Sequence, residues 1–220
     1  LGSKNPWTDV EVIALQHQIL QRLGISEWVE LRLSSVGCDV CRPKYKALLQ
    51  EKLEAVKDQL PEEVVKRIPT NPQRVFDHKS ESVRALTQNL PVTMDHLCED
   101  CSGHQAGVEA GLCELKIPFV RDPKIVRGLD YYTQTAFEFV TDKLGAQATV
   151  CGGGRYNKLV KELGGPDSPG IGFGMGMERM VLLLQQMKPS EAEPFDVVFV
   201  YPDEQGKAPC ARLCFEARVQ

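Results

Sequence analysis

Gly170-Ile-Gly-Phe-Gly-Met-Gly-Met-Glu-Arg179 decides how this chain is read, because every second residue as far as Gly176 is glycine. A strand has a side-chain period of two, so Gly170, Gly172, Gly174 and Gly176 leave one face bare while Ile171, Phe173, Met175 and Met177 cover the other. A bare strand face costs packing and backbone entropy, which points to something flat lying on it. Arg179 follows at the start of an apolar helix pattern from Met180 to Met187, where its guanidinium can stack on a planar ring. A glycine floor with an arginine lid suits a purine. The plainer alternative is a strand packed tightly against neighbouring backbone with no ligand, but such a strand has no need of an arginine at its end.

Two further pieces lie just upstream. Gly152-Gly-Gly-Arg-Tyr156 follows an apolar run, Ala148 to Cys151, and precedes a short helix pattern from Tyr156 to Leu163; its glycines allow backbone to approach a ligand closely. Arg127-Gly-Leu-Asp-Tyr-Tyr132 runs into Thr133-Gln-Thr-Ala-Phe-Glu-Phe-Val140, a stretch whose Thr, Tyr, Phe and Val content reads as a strand, with Arg127, Leu129 and Tyr131 on one face. No Walker-type glycine loop occurs, so nucleotide phosphates would need arginine, backbone donors or metal, with Arg127 the best-placed candidate. Gly172-x-Gly-x-Gly does not match G-x-G-x-x-G, and repeated βα units are missing, which argues against a dinucleotide fold. Taken alone, Arg127 would read as a surface ion-pair residue; the adjoining tyrosines and glycine loop favour the site.

At these residues the chain resembles the histidyl-tRNA synthetases of class II. Arg127-Gly-Leu-Asp-Tyr-Tyr132 and Gly153-Gly-Arg-Tyr156 look like the two histidine-binding signatures, and Gly172-Phe-Gly-Met-Gly-Met-Glu-Arg179 looks like motif 3. The resemblance runs from Leu1 to about Val200. It implies an α+β fold, an antiparallel catalytic sheet flanked by helices, with a helical insertion and the start of a C-terminal α/β domain. It also implies activation of L-histidine by ATP with Mg2+, release of pyrophosphate and transfer of the histidyl group to tRNA(His). Under the resemblance Arg127 bridges the histidine carboxylate and the α-phosphate. Tyr131, Tyr132, Gly153, Gly154 and Tyr156 shape the histidine pocket, and Gly172, Gly174, Gly176 and Arg179 hold ATP, the arginine on the adenine ring.

The chemistry of these residues suits such roles: arginine stabilises charge developing on an α-phosphate, and tyrosine hydroxyls can select an imidazole. Gln134 and Asn157 depart from the family pattern, which has a small residue and an acidic one there. The dimer-forming motif 1 and the ATP-binding arginine of motif 2 have no counterpart, so the expectation is a fragment beginning after motif 2, lacking a complete ATP site, from a family that is homodimeric when full-length. The alternative within this fold is a histidine-sensing regulatory subunit of ATP phosphoribosyltransferase; a third reading is a zinc-stapled binding module with a vestigial site.

Composition is that of an ordinary globular chain, 42% hydrophobic and 25% charged, and the formal net charge of −4 offers no global attraction to nucleic acid. No segment approaches a membrane span or a signal peptide, and a cytoplasmic location is the default. Along the chain, Thr8-Asp-Val-Glu11 reads as a capping box opening a helix through Val12, Leu15, Ile19 and Leu23, with Gly24 as its C-terminal glycine. Glu30 to Ser34 alternates as a strand, and Pro43 to Leu60 reads as an amphipathic helix. The expected domains are residues 1–41 as the first part of the catalytic domain, 42–117 as the helical insertion and 118–187 as the second part. A linker at 188–195 leads to a truncated α/β domain at 196–220, with a strand from Asp196, a helix from Ala208 to Val219 and too few residues for its own core.

Eight cysteines include the pairs Cys38-x-x-Cys41 and Cys98-x-x-Cys101. Paired knuckles are a signal for structural Zn2+, since each offers two thiolates to one tetrahedral ion. The spacing between the pairs is far longer than in a compact zinc ribbon, and four free thiols in a reducing compartment is the competing reading. His17, His78, His96 and His104 share no ligand spacing. Cys151 abuts the glycine loop with no histidine beside it in sequence and reads as a small core residue.

Overall fold

The computed structural model describes residues 1–78, 80–125, 131–145, 149–187, 200–201 and 203–217. They fall into two units, Leu1–Met187 and Lys188–Gln220.

The first helix, α1 (Pro6–Arg22), begins earlier than its expected capping box. Asn5 is the N-cap, accepting from the Trp7 amide at 2.9 Å, because Pro6 already has the helical φ and no N–H to satisfy. Thr8 lies one turn inside, where its hydroxyl donates to Ser3. The C-terminus follows expectation: Gly24 has φ +75°, its amide bonds to Gln21, and Ile25 bonds back to Leu20, a Schellman arrangement. Gly24→Ala should therefore cost about 1 kcal/mol in urea unfolding through left-handed strain alone, since nothing lies within 4 Å of the added Cβ.

After α1 come β1 (Glu30–Ser35), α2 (Cys41–Glu54), the short helices α3 (Glu62–Val65) and α4 (Glu81–Thr87), and α5 (Glu99–Glu114). Then follow β2 (Val120–Arg121), β3 (Thr133–Val140), β4 (Thr149–Arg155), α6 (Leu159–Glu162), β5 (Ile171–Met175) and α7 (Met177–Met187). The expected long helix from Pro43 starts at Cys41 and stops at Glu54; beyond a break, a 3-10 turn carries Lys57–Gln59.

The sheet order is β2-β1-β3-β4-β5. Three of its four ladders are antiparallel, as expected, but the pair of β1 and the edge strand β2 is parallel, so the sheet is mixed. The chain leaves the sheet at Ser35 and returns on the outer side of β1 running the same way. One face of the sheet carries Leu31, Leu33, Phe137, Phe139 and Cys151 into a core with Val10, Ile13, Val108, Leu112, Met180 and Leu183 from α1, α5 and α7. Gly107 and Gly111 of α5 admit Pro6 and Val10, whose side chains would collide with any added Cβ.

A second, smaller core (Tyr45, Leu49, Leu53, Leu60, Val64, Ile68, Val75, Val83) holds the region from α2 to α4 together. Helix α5 thus shares its apolar contacts with the sheet, and the separate helical core ends before it. In the second unit α8 (Glu204–Ala217) begins ahead of the expected Ala208, encloses Pro209 and buries none of its described side chains. The linker at 188–195 and residues 196–199 of the expected strand lie outside the described residues. No helix among the described residues is long and apolar enough to cross a membrane.

Candidate functional site

Strand register builds the floor. Across the β4–β5 ladder Gly152 stands opposite Gly174, and Gly154 opposite Gly172. Alternation places these four on the face away from the apolar core, making a patch two strands wide with no side chains. Gly153 points the other way: a Cβ there would sit 2.2 Å from the Gly172 carbonyl and 2.8 Å from Phe137. It lets two strands and a phenyl ring close up, whereas Gly152, in the glycine loop but not among the pocket residues that the resemblance implies, shares the bare face. Glu138 borders the patch beside Gly152 and accepts from the Thr149 hydroxyl at 2.9 Å.

The patch has a filled end and an open end. A Cβ on Gly170 would meet the Tyr156 ring at 2.3 Å, one on Gly172 the Tyr156 hydroxyl at 3.0 Å, and one on Gly154 the Tyr132 ring at 3.0 Å. Tyr131 packs edge-on against both Tyr132 (centroids 5.0 Å) and Tyr156 (6.3 Å), so the three predicted tyrosines form one wall. At the other end nothing lies within 4 Å of a Cβ on Gly174. Gly176 meets the aliphatic stem of Arg179, whose guanidinium donates to the Thr149 carbonyl. Tyrosine wall, bare floor and Arg179 line one cavity of about 600 Å³, enough for a small polar molecule at the tyrosines and a flat ring on the glycines. Arg127 lies outside the described residues.

Arg155, passed over in the glycine motif, is fully buried and pairs with buried Asp9 of α1. Its Nε donates to both carboxylate oxygens at 3.1 Å, its Nη1 to the Ser3 carbonyl at 2.8 Å and to Asn157 at 3.2 Å, and its Nη2 to the Asn5 carbonyl at 3.4 Å. His104 of α5 reaches Asp9 at 3.3 Å. Burial pushes the Asp9 carboxyl up, but the hydrogen bonds from His104 and Arg155 outweigh it and hold the group below its ordinary value. The network locks the end of β4, and with it Tyr156, to α1 and α5.

The four knuckle cysteines converge although Cys38 and Cys98 are 60 residues apart. Their sulfurs all lie within 4.8 Å of one another, with Cys38–Cys41 at 3.8 Å, Cys38–Cys98 at 3.6 Å and Cys41–Cys101 at 3.9 Å. A disulfide requires about 2 Å. A tetrahedral ion with bonds of about 2.3 Å sets its sulfurs about 3.8 Å apart, which these contacts match. Burial would raise the Cys38 thiol, but amides at Cys41 and Val40 bring it down to about 7, while burial and the neighbouring sulfurs push Cys101 up.

Residues 1–180 match the family model described as histidyl-tRNA synthetase. The chain belongs to the histidyl-tRNA synthetase family. It is 44% identical over 208 residues to the histidine–tRNA ligase of Caldanaerobacter subterraneus subsp. tengcongensis, covering 94% of this chain and 50% of the relative. To that of Clostridioides difficile (strain 630) it is 47% identical over 186 residues, 84% of this chain and 44% of the relative. The apo histidyl-tRNA synthetase of S. aureus superposes with a TM-score of 0.67 at 34% identity, covering 99% of this chain and 54% of that one. The chain spans about half the length of the curated relatives it matches. The two departures from the synthetase signatures, Gln134 and Asn157, are hydrogen-bonded to each other at 3.1 Å. Gln134 has φ +53°, a left-handed conformation that glycine would take at less cost.

Proposed function

We propose that this chain is the part of a cytoplasmic histidine–tRNA ligase that holds L-histidine and the adenine of ATP. The observation that carries the reading is the single cavity in which a tyrosine wall meets a side-chain-free glycine patch edged by Arg179. Tyr131, Tyr132 and Tyr156 take the imidazole, their hydroxyls hydrogen-bonding its two nitrogens. Gly172, Gly174 and Gly176 carry the purine, with Arg179 turning from the Thr149 carbonyl to stack on it. Arg127 bridges the histidine carboxylate and the α-phosphate, stabilising charge as the carboxylate displaces pyrophosphate. Mg2+ enters with ATP, tRNA(His) receives the histidyl group, and homodimerisation belongs to the full-length enzyme. The cysteine cluster holds one structural Zn2+.

In the full-length enzyme carrying this sequence, L-histidine-dependent exchange of pyrophosphate into ATP is the expected activity. Histidine binding without exchange would instead favour the regulatory-subunit reading. Arg179→Ala should raise the KM for ATP about tenfold while leaving that for histidine within twofold, the range of a lost stacking contact. Equal changes in both constants would contradict its assignment to adenine.

A further inference from the structure

We propose that the metal held by Cys38, Cys41, Cys98 and Cys101 is coupled to the amino-acid pocket, with Arg42 as the positioning residue that joins them. The inference rests on the zinc and histidine readings above and adds a dependence of one on the other.

The first knuckle touches both tyrosine-bearing segments. Arg42 directly follows Cys41 in the first turn of α2, and its amide bonds to the Cys38 carbonyl at 2.9 Å. Its guanidinium spans two backbone acceptors, Nε donating to the Val36 carbonyl at 3.3 Å and Nη2 to the carbonyl of Tyr132. Between the knuckle and the sheet, Val36 donates to Gln134 and Gln134 donates to Gly37, each at 2.8 Å. Gly37 has φ +71°, and a Cβ there would sit 2.8 Å from the Cys41 sulfur, so the loop is shaped around that thiol. Asp39, inside the knuckle, pairs with Lys158, two residues beyond Tyr156.

The second knuckle closes the arrangement from the other side. Cys98 is the N-cap of α5 and Cys101 lies in its first turn. One turn further on, His104 reaches the Asp9–Arg155 pair that anchors the end of β4. A single ion bonded to all four sulfurs therefore fixes the Arg42 loop against α5, and through them the spacing of Tyr132 and Tyr156. Without the ion, the four thiols have no common partner to draw the Arg42 loop and α5 together.

The test uses the full-length enzyme with and without zinc. Native mass spectrometry reads the metal, calorimetry reads L-histidine affinity, and exchange kinetics read the two KM values. The zinc-loaded enzyme is expected to hold one ion per chain and to bind histidine about tenfold more tightly than enzyme stripped with a chelator, with the KM for ATP unchanged. Arg42→Met should keep the zinc yet show the same loss for histidine, and Arg42→Lys should recover part of it, since an ammonium can serve one of the two carbonyls. A folded enzyme that binds no zinc overturns the metal reading and the coupling with it. Zinc bound, with histidine affinity indifferent both to its removal and to Arg42→Met, overturns the coupling alone. Failure of every form to bind histidine overturns the pocket on which the coupling depends.

Discussion

Asp9→Asn is expected to lower stability by about 3–5 kcal/mol, with a fall of roughly 10 °C in thermal midpoint. Arg155 is fully buried and delivers three of its donor contacts to the Asp9 carboxylate. The asparagine would remove the compensating charge and turn an amide N–H toward guanidinium N–H groups. The pH dependence has a definite sign. A carboxyl held below its ordinary value of 3.8 contributes stability that is fully present above about pH 5 and is lost as pH falls through the folded-state value. Urea unfolding of the original chain should therefore weaken between pH 5 and pH 3 by more than that of Asp9→Asn. Identical slopes would mean that Asp9 is not the titrating partner of this network.

Gly174→Val should leave the fold intact and cut ATP use about 100-fold, the scale expected when a reacting group is displaced by an ångström or more. Valine suits a strand, Gly174 has no positive φ, and its added Cβ meets nothing within 4 Å. The side chain would instead fill the open end of the glycine patch. Gly153→Ala provides the contrast, because its Cβ would be 2.2 Å from backbone, so that substitution should destabilise the sheet itself. Exchange kinetics in the full-length enzyme, with thermal melts of both variants, separate the cases. A Gly174→Val enzyme with an unaltered KM for ATP would sink the assignment of this floor to a purine.

What could be read from sequence was local. Alternating glycines fix a bare face wherever the strand lies, and the tyrosines of adjacent segments announce an aromatic wall. Pairing between distant segments carries no such signal. Gly152 and Gly174 become one surface only through a register set by the whole ladder, and spacing alone could not tell Gly152 from Gly153. Arg155 finds Asp9 across 146 residues, with nothing near either residue to announce the partner. The capping box at Thr8 was a true pattern overruled by a stronger one, since Asn5 followed by Pro6 starts the helix a few residues sooner. The cysteine pairs lay between these extremes: each knuckle was visible, and only folding could bring the two within sulfur contact.

The parallel edge of the sheet also bears on the order of assembly. Arg32 of β1 meets Asp122, just beyond β2, across 90 residues, and β1's other neighbour, β3, comes later still. The strands β3 and β4 are separated by only eight residues of sequence, whereas docking β1 first requires a loop whose closure costs about 2 kcal/mol more in chain entropy than one of about 10 residues. The glycine patch, built entirely from β4 and β5, thus belongs to the part of the sheet that can zip up locally. Strand β1, by contrast, has no partner strand among the described residues until the chain has run on to β2 and β3.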